Sequence, residues 1–470
     1  MCGVVGVHAP GQDAAAIAAL GLFALQHRGQ ESAGVAVSDG RGVMVYKDLG
    51  LVDQVIDERR LQSLRGNLAI AHCRYSTTGS TIWENSQPAF RLGPLRSVAV
   101  GHNGNLVNTQ ALLEQLPGGL TRLVGTTDTE LLTALLASEP GGDLVEALLS
   151  LLPRVSGAYS LVVMDETRVV GVRDPYGFRP LVLGVIPSAN GEAWCLASET
   201  AALDVLGAEY VRDVEPGELV VLGEPGGPRS IKFAEGKEQL CVFELIYFAR
   251  PDSYMLGRNL YEARRRMGEE LAREAPADAD LVMPVPDTGA PAAAGYAEAS
   301  GIPYREGMTR NRYAGRTFIQ PSNGLRQRGV TVKLSALREQ VRDRRLIVVD
   351  DSIVRGTTTR QIVGLLRRAG AKEVHVRISA PPIFHPCFYG IDTQIETELI
   401  AAQRSVPEIQ EFIGADSLAY LSIGGVLEGL DLPRDRFCFA CFDGNYPVPV
   451  PYDVANHKFL LERDQLAVVG

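Results

Sequence analysis

The sequence predicts two domains built on different patterns: an α+β layered domain over residues 2–232, then an α/β domain with a parallel, doubly wound sheet over 233–470. Three observations carry this. At 470 residues the chain exceeds what one hydrophobic core usually organises. The first half alternates short β-branched runs with separate helical stretches. From about residue 240, strand and helix alternate as βαβ units, whose ligands lie beyond the carboxyl ends of the strands.

In chain order, GVVGV, AGVAVS, GVMVY, LAIAHCRYS, SVAVGHNG and AYSLVVM read as strands by β-branched content and alternation. AAAIAALGLFALQH and TDTELLTALLAS carry helical apolar spacing. VVLGEPGGPRSIKFAEGKE, rich in Gly, Pro and charge, marks the boundary. Beyond it, LVMPVP is strand-like and APAAAGYAEASG is a helix closed by Gly301. RRLIVVD is a buried strand, TTTRQIVGLLRRAG a helix closed by Gly370, and KEVHVRIS the next strand.

Composition bounds the function. A formal net charge of -10 argues against nucleic acid as a partner. No apolar stretch is long enough to span a bilayer, and no secretory signal is visible, so the expected location is cytoplasmic, away from membranes. Seven cysteines, an odd number, make a disulfide framework a poor reading and leave metal binding or catalysis open.

The most informative stretch is LIVVDDSIVRGTTTR, residues 346–360. An apolar strand runs into Asp350 and Asp351, and a short loop leads through Gly356 into a helix opening on Thr357, Thr358 and Thr359. Carboxylates there suit sugar hydroxyls or Mg²⁺, and unpaired N–H groups at a helix start suit a phosphate. Acids and threonines also serve as plain helix caps. Two adjacent acids after a strand, followed by R-G-T-T-T, are harder to explain that way. The stretch resembles the phosphoribosyl diphosphate (PRPP) loop of type I phosphoribosyltransferases. The resemblance implies that Asp350 and Asp351 meet the ribose hydroxyls, while Ser352, Arg355, Gly356 and Thr357 to Thr359 hold the rest of PRPP. It also places Thr288, in the turn VPDTG, beside Asp350 and Asp351 around Mg²⁺.

The N-terminus reads MCGVVGV. A cysteine there is ordinarily a buried apolar residue. However, HRGQESAG, HCRYSTTG, GHNGNL and TTDTE add four polar, Gly-bearing loops that one site could gather. Together they resemble the class II glutamine amidotransferases, an αββα N-terminal-nucleophile fold. The resemblance implies that Cys2 is the nucleophile, exposed once Met1 is removed without any self-cleavage. Its own α-amine, of ordinary pKa ~7.7–8.0, then serves as base. Asn103 and the Gly104 N–H would form the oxyanion hole, where losing one donor typically costs about 2.7–4 kcal/mol of barrier. Arg28, Gly29, Arg74 and Asp128 would surround the glutamine. Asp128 also fits an ordinary first helical turn in a capping box, and Arg74 a plain surface charge.

Both modules in one chain resemble the amidophosphoribosyltransferase family over nearly the full length. That implies glutamine, PRPP and water giving 5-phosphoribosylamine, glutamate and diphosphate, the first committed step of purine synthesis, with ammonia crossing internally. It further implies inhibition by purine nucleotides and a homotetramer. C-F-A-C at Cys438 and Cys441, a spacing that zinc or redox sites share, joins Cys241 and Cys387 as the places where one branch of the family ligates a [4Fe–4S] cluster. Cys73 and Cys195 read as core. Residues 310–334 resemble the family's loop over PRPP, with Arg310 where Lys is expected. A PRPP- or nucleotide-sensing regulator on an inactive transferase is the alternative.

Overall fold

The computed structural model describes residues 1–187, 192–311, 334–451 and 461–462. The first half is two stacked antiparallel sheets with helices outside each. One sheet runs Glu209–Asp213, Val182–Ile186, Ala193–Ala197, Gly3–His8, Leu68–Arg74, Ser32–Ser38, Val43–Leu49. The other runs Arg229–Lys232, Glu218–Leu222, Val169–Arg173, Gly157–Met164, Ser97–Leu106, Ala89–Leu92.

Strand alternation builds these layers, because successive side chains face opposite ways. Val5 and Val7 pack outward with Ala14, Ala18 and Leu22 of the helix Ala14–Ala24. Val4 faces inward, against Val162, Val169 and Val220 of the second sheet. Val98 and Val100 in turn pack outward on Leu131 and Leu135 of the helix Asp128–Ser138. The order helix, sheet, sheet, helix is the αββα arrangement.

The second half holds a parallel sheet ordered Leu281–Pro284, Arg345–Asp350, Glu373–Ile378, Ser417–Tyr420. Helices cover its faces, so Leu281 to Met283 and Leu346 to Val349 are continuously buried. Asp350 ends its strand and the helix Thr357–Arg368 begins seven residues later, as the motif requires.

Three local differences from the sequence reading have simple causes. GHNGNL, read both as the end of the strand SVAVGHNG and as a loop, is strand: it lies inside Ser97–Leu106, where Asn103 pairs with Ser160 and Gly104 with Tyr159. The Gly- and Pro-rich boundary stretch forms the hairpin between Glu218–Leu222 and Arg229–Lys232, so the sheet extends through 232. Past it, the N–H groups of Lys237, Gln239 and Cys241 donate to the carbonyls of Pro175, Tyr176 and Phe178, lacing the connection onto the first half. At the other end, Leu461 returns to the helix-side core of the first half. Of the 310–334 loop, residues 312–333 lie outside those described. Among the described residues no helix is long and apolar enough to cross a membrane.

Candidate active site

Cys2 sits at the head of the central strand, buried, its backbone N–H donating to Asn103 Oδ1 at 3.1 Å. Its Sγ faces the Tyr75 carbonyl at 3.6 Å. Asn103 is completely buried, yet its Nδ2 has no partner. A buried donor left unsatisfied is costly, so this group is one aimed at something absent. Gly104 follows at φ +145°, where a Cβ would fall 2.0 Å from the Ala158 carbonyl oxygen, so only Gly fits. Among the described residues no histidine hydrogen-bonds to Cys2 Sγ: burial pulls the His72 imidazole down to about 3, and its Nε2 lies 3.0 Å from the His102 carbonyl.

Arg74 ends the strand Leu68–Arg74 and Asp128 opens the helix Asp128–Ser138; both are buried. Arg74 donates to the carbonyls of Thr78, Gly79 and Ser80 at 2.9, 3.3 and 3.2 Å. Burial lowers its pKa against the pull of Cys2, Glu31 and Asp128, which leaves a guanidinium suited to one more carboxylate. Asp128 accepts from the Leu106 N–H at 3.0 Å, tying the helix start to the strand that carries Asn103. Its helix is capped by Thr127, as the capping pattern anticipates, so capping and site roles coexist. Arg28 is differently employed. Its guanidinium is fully buried, paired with Glu199 and Glu244, and its Nε donates to the Cys2 carbonyl at 3.0 Å. That guanidinium holds the Cys2 main chain. Gly29, next to it, packs so tightly on Cys73 that a Cβ would lie 2.5 Å from its carbonyl.

In the second half Asp350 and Asp351 are both buried. Burial first, then the charge of Asp351, drives the Asp350 carboxyl well above its usual range; burial likewise raises Asp351. Ser352 donates to Asp351 Oδ1 at 2.6 Å and Thr288 to its Oδ2. Two adjacent acids in that condition fit a divalent cation, with Thr288 beside them. Gly356 holds φ +72° ahead of the helix Thr357–Arg368, whose first N–H groups have no side-chain cap. Arg355 pairs with Glu398. Arg310 Nη1 reaches Asp287 Oδ2 at 2.9 Å, so the departure from Lys sits beside the VPDTG turn.

One cavity of about 690 Å³ joins the two ends. Met1, Gln30 and Tyr75 line it near Cys2; Asp351, Arg355 and Thr358 line it at the other end. Phe243, Tyr247, Phe248 and Ile391 also line it.

Cys241 and Cys438 sit side by side in a small parallel pairing, and the N–H groups of Phe384 and His385 donate to the Cys441 carbonyl. With Cys387 these thiols are within electrostatic reach of one another. Burial pushes Cys241 up to about 11 and Cys438 and Cys441 well above their ordinary value. Among the described residues no group of three or more His, Cys, Asp or Glu is spaced for one metal ion. Cys73 and Cys195 are core, each raised to about 12 by burial.

The family described as "Glutamine amidotransferase domain" matches residues 72–205, and "Phosphoribosyl transferase domain" matches 253–382. The amidophosphoribosyltransferase of Synechococcus elongatus is 52% identical over 98% of this chain and 94% of its own length. The chain belongs to the amidophosphoribosyltransferase family. The Bacillus subtilis member is 46% identical over 96% of this chain and 95% of its own. Two solved structures superpose at 45% identity. One, described as the allosteric regulatory enzyme of purine biosynthesis, has TM-score 0.89 and covers 96% of this chain and 97% of its own. The other is the B. subtilis glutamine PRPP amidotransferase with ADP and GMP, TM-score 0.88, covering 96% and 98%. As in that family, the N-terminal-nucleophile domain precedes the phosphoribosyltransferase domain.

Sequence reasoning missed the groups that set these residues in place. Glu31, inside the HRGQESAG motif, takes hydrogen bonds from Ser76 N–H at 3.0 Å, Ser76 Oγ at 3.1 Å and Thr81 Oγ1 at 3.0 Å, stapling the loop that Arg74 supports. Glu462 accepts from Ser80 N–H at 2.7 Å and Thr126 Oγ1 at 3.2 Å, from more than 300 residues away. No local pattern announces such partners.

Proposed function

We propose that this chain transfers the amide nitrogen of glutamine to C1 of PRPP, yielding 5-phosphoribosylamine, glutamate and diphosphate, the committing step of purine synthesis. The observation that carries it is one cavity lined at one end by Met1 and by Tyr75, whose carbonyl faces Cys2 Sγ, and at the other by the Asp350–Thr359 loop. The domain division falls at 232/233.

Removal of Met1 converts the Cys2 N–H, now 3.1 Å from Asn103 Oδ1, into an α-amine in the same place. That amine takes the Sγ proton and the thiolate attacks the glutamine amide carbon. Asn103 Nδ2, without a partner, and the Gly104 N–H take the oxyanion; the tetrahedral adduct collapses to a thioester and releases ammonia, and water then frees glutamate. Arg74 holds the glutamine α-carboxylate and Asp128 its α-amine, with Gly29 and Arg28 forming the wall behind Cys2. Ammonia crosses the cavity past Tyr247, Phe248 and Ile391.

At the far end Asp350 and Asp351 orient the ribose hydroxyls, and Ser352, Arg355, Gly356 and Thr357 to Thr359 seat the 5′-phosphate at the helix start. Thr288, Asp350 and Asp351 would hold Mg²⁺, which would neutralise charge on the departing diphosphate. Purine nucleotides resemble the product's phosphoribosyl half and inhibit, and the enzyme works as a cytoplasmic homotetramer. A sensor on a dead transferase is disfavoured, because a sensor needs no unpaired Asn103 Nδ2 beside a buried cysteine. Incubation with amide-¹⁵N glutamine, PRPP and excess unlabelled ammonium tests the scheme: the label should appear in phosphoribosylamine, and its dilution to the bulk ratio would refute internal transfer.

Cys241, Cys387, Cys438 and Cys441 would ligate a [4Fe–4S] cluster as thiolates. The support is their mutual proximity and the buried Arg179, which burial disfavours but whose charge Cys241, Glu244 and Cys387 sustain. Such a cluster would pin the C-terminal segment, and no electron transfer is needed in the reaction. Cys438→Ser is expected to lose iron and sulfide together and to lower the melting temperature. Unchanged stability alongside lost iron would contradict the structural role.

A further inference from the structure

Two contacts carry the transferase half into the glutaminase centre. The first is ionic. Glu244 is fully buried, and its Oε1 accepts from Arg28 Nη2 at 2.7 Å and Arg179 Nη1 at 3.3 Å. Arg28 passes this on, since its Nε holds the Cys2 carbonyl at 3.0 Å. Phe248 lies under its guanidinium, 4.8 Å from ring centre to carbon, and fixes the plane.

The second contact is steric. Arg179 donates to the Tyr389 carbonyl from Nε at 2.8 Å and Nη2 at 2.6 Å. The next residue, Gly390, has φ +108° and lies flat against Gly104. A Cβ there would stand 3.1 Å from Gly104 Cα and 3.4 Å from Arg179 Nε. One buried arginine thus links Glu244 to the backbone that abuts Gly104.

We infer that Glu244 and Gly390 are positioning residues for glutamine cleavage: Glu244 sets the Cys2 main chain through Arg28, and Gly390 sets the Gly104 backbone. This rests on the roles proposed above for Cys2, Asn103 and Gly104. The physical reason is tolerance. An oxyanion site works only when nucleophile and donors are held together to a fraction of an ångström, and misplacement by about 1 Å can cost on the order of 100-fold in rate. Here one of the two walls belongs to the other domain. A detached or tilted transferase half then switches off ammonia release, so nitrogen is liberated only when the cavity is assembled.

The test compares Glu244→Gln, Glu244→Asp and Gly390→Ala with the parent protein. Each is assayed in the full chain with PRPP, once with glutamine and once with ammonium chloride. For Glu244→Gln and Gly390→Ala, glutamine-dependent kcat should fall on the order of 100-fold. The KM for glutamine should stay put, because Arg74 and Asp128 are untouched, and the ammonium-dependent rate should match the parent, which also reports folding. Glu244→Asp keeps the charge and should recover part of the loss. If Gly390→Ala does not fold, Glu244→Gln, which preserves volume, decides alone. Parental kcat, a change confined to KM, or equal loss of both activities in Glu244→Gln overturns the inference. A parent that cannot use glutamine overturns the underlying reading instead.

Discussion

Cys2→Ala is expected to abolish glutamine-dependent phosphoribosylamine formation while leaving the ammonium-dependent reaction at its original rate. The two ends of the cavity are chemically independent. In the proposed scheme Cys2, Asn103 and Gly104 act on the amide, whereas the Asp350–Thr359 loop, at the other end of the cavity, binds PRPP. Removing the sulfur removes the only nucleophile proposed and leaves no thioester route, so the loss should be complete to the detection limit. Ala is smaller than the buried Cys2 and introduces no clash, so folding should survive. Retained glutamine use in this variant would sink the nucleophile assignment.

The same centre makes a pH prediction. The amine at the chain start, on Met1, is lowered to about 6, by burial first, with Arg179 and Arg28 adding to it against Cys2 and Glu244. Burial disfavours the charged ammonium, so an α-amine on Cys2 in this environment should also titrate low. The base must be neutral to take the thiol proton. The acid limb of glutamine kcat/KM should therefore rise with pH at a midpoint below the ~7.7–8.0 of a free α-amine. A limb centred above that range would argue for a solvated amine.

Asp350→Asn should cut both the glutamine- and ammonium-dependent reactions by on the order of 100-fold or more, while raising the melting temperature of the Mg²⁺-free protein. Activity falls because a neutral amide binds neither the ribose hydroxyls nor a cation as a carboxylate does. Stability moves the other way, and the sign follows from the raised pKa. A carboxyl titrating higher in the folded than the unfolded protein destabilises the fold at pH above its unfolded value, where ionisation is resisted. Burial and the Asp351 charge are the causes, and Asn removes both penalties. The gain should vanish below the unfolded carboxyl pKa of about 3.9, where both forms are neutral. A destabilised, active variant would refute the role.

Much of this was legible before any coordinates. The strand ending in Asp350-Asp351, Gly356 and the threonine-led helix lie where the βαβ reading puts them, because chain-local alternation and capping fix such units. The strands of the first half likewise follow from β-branched alternation. The αββα layering is not local, since it depends on Val4 and Val5 choosing opposite neighbours, and there the family resemblance supplied what periodicity could not. GHNGNL looked like a loop because Gly and Asn favour turns, but pairing with Gly157–Met164 outweighs that preference.

The sequence by itself marked the candidate groups: a cysteine behind the first methionine, two acids after a strand, and a glycine and threonines at a helix start. Tertiary structure alone decided how they are held. Arg28 braces the Cys2 main chain, and Glu31, Glu244, Gly390 and Glu462 make contacts that no motif marks. The reason is range. Capping and alternation act over a few residues and leave a written pattern, whereas a buried charge finds its partner wherever folding brings one, without regard to sequence distance.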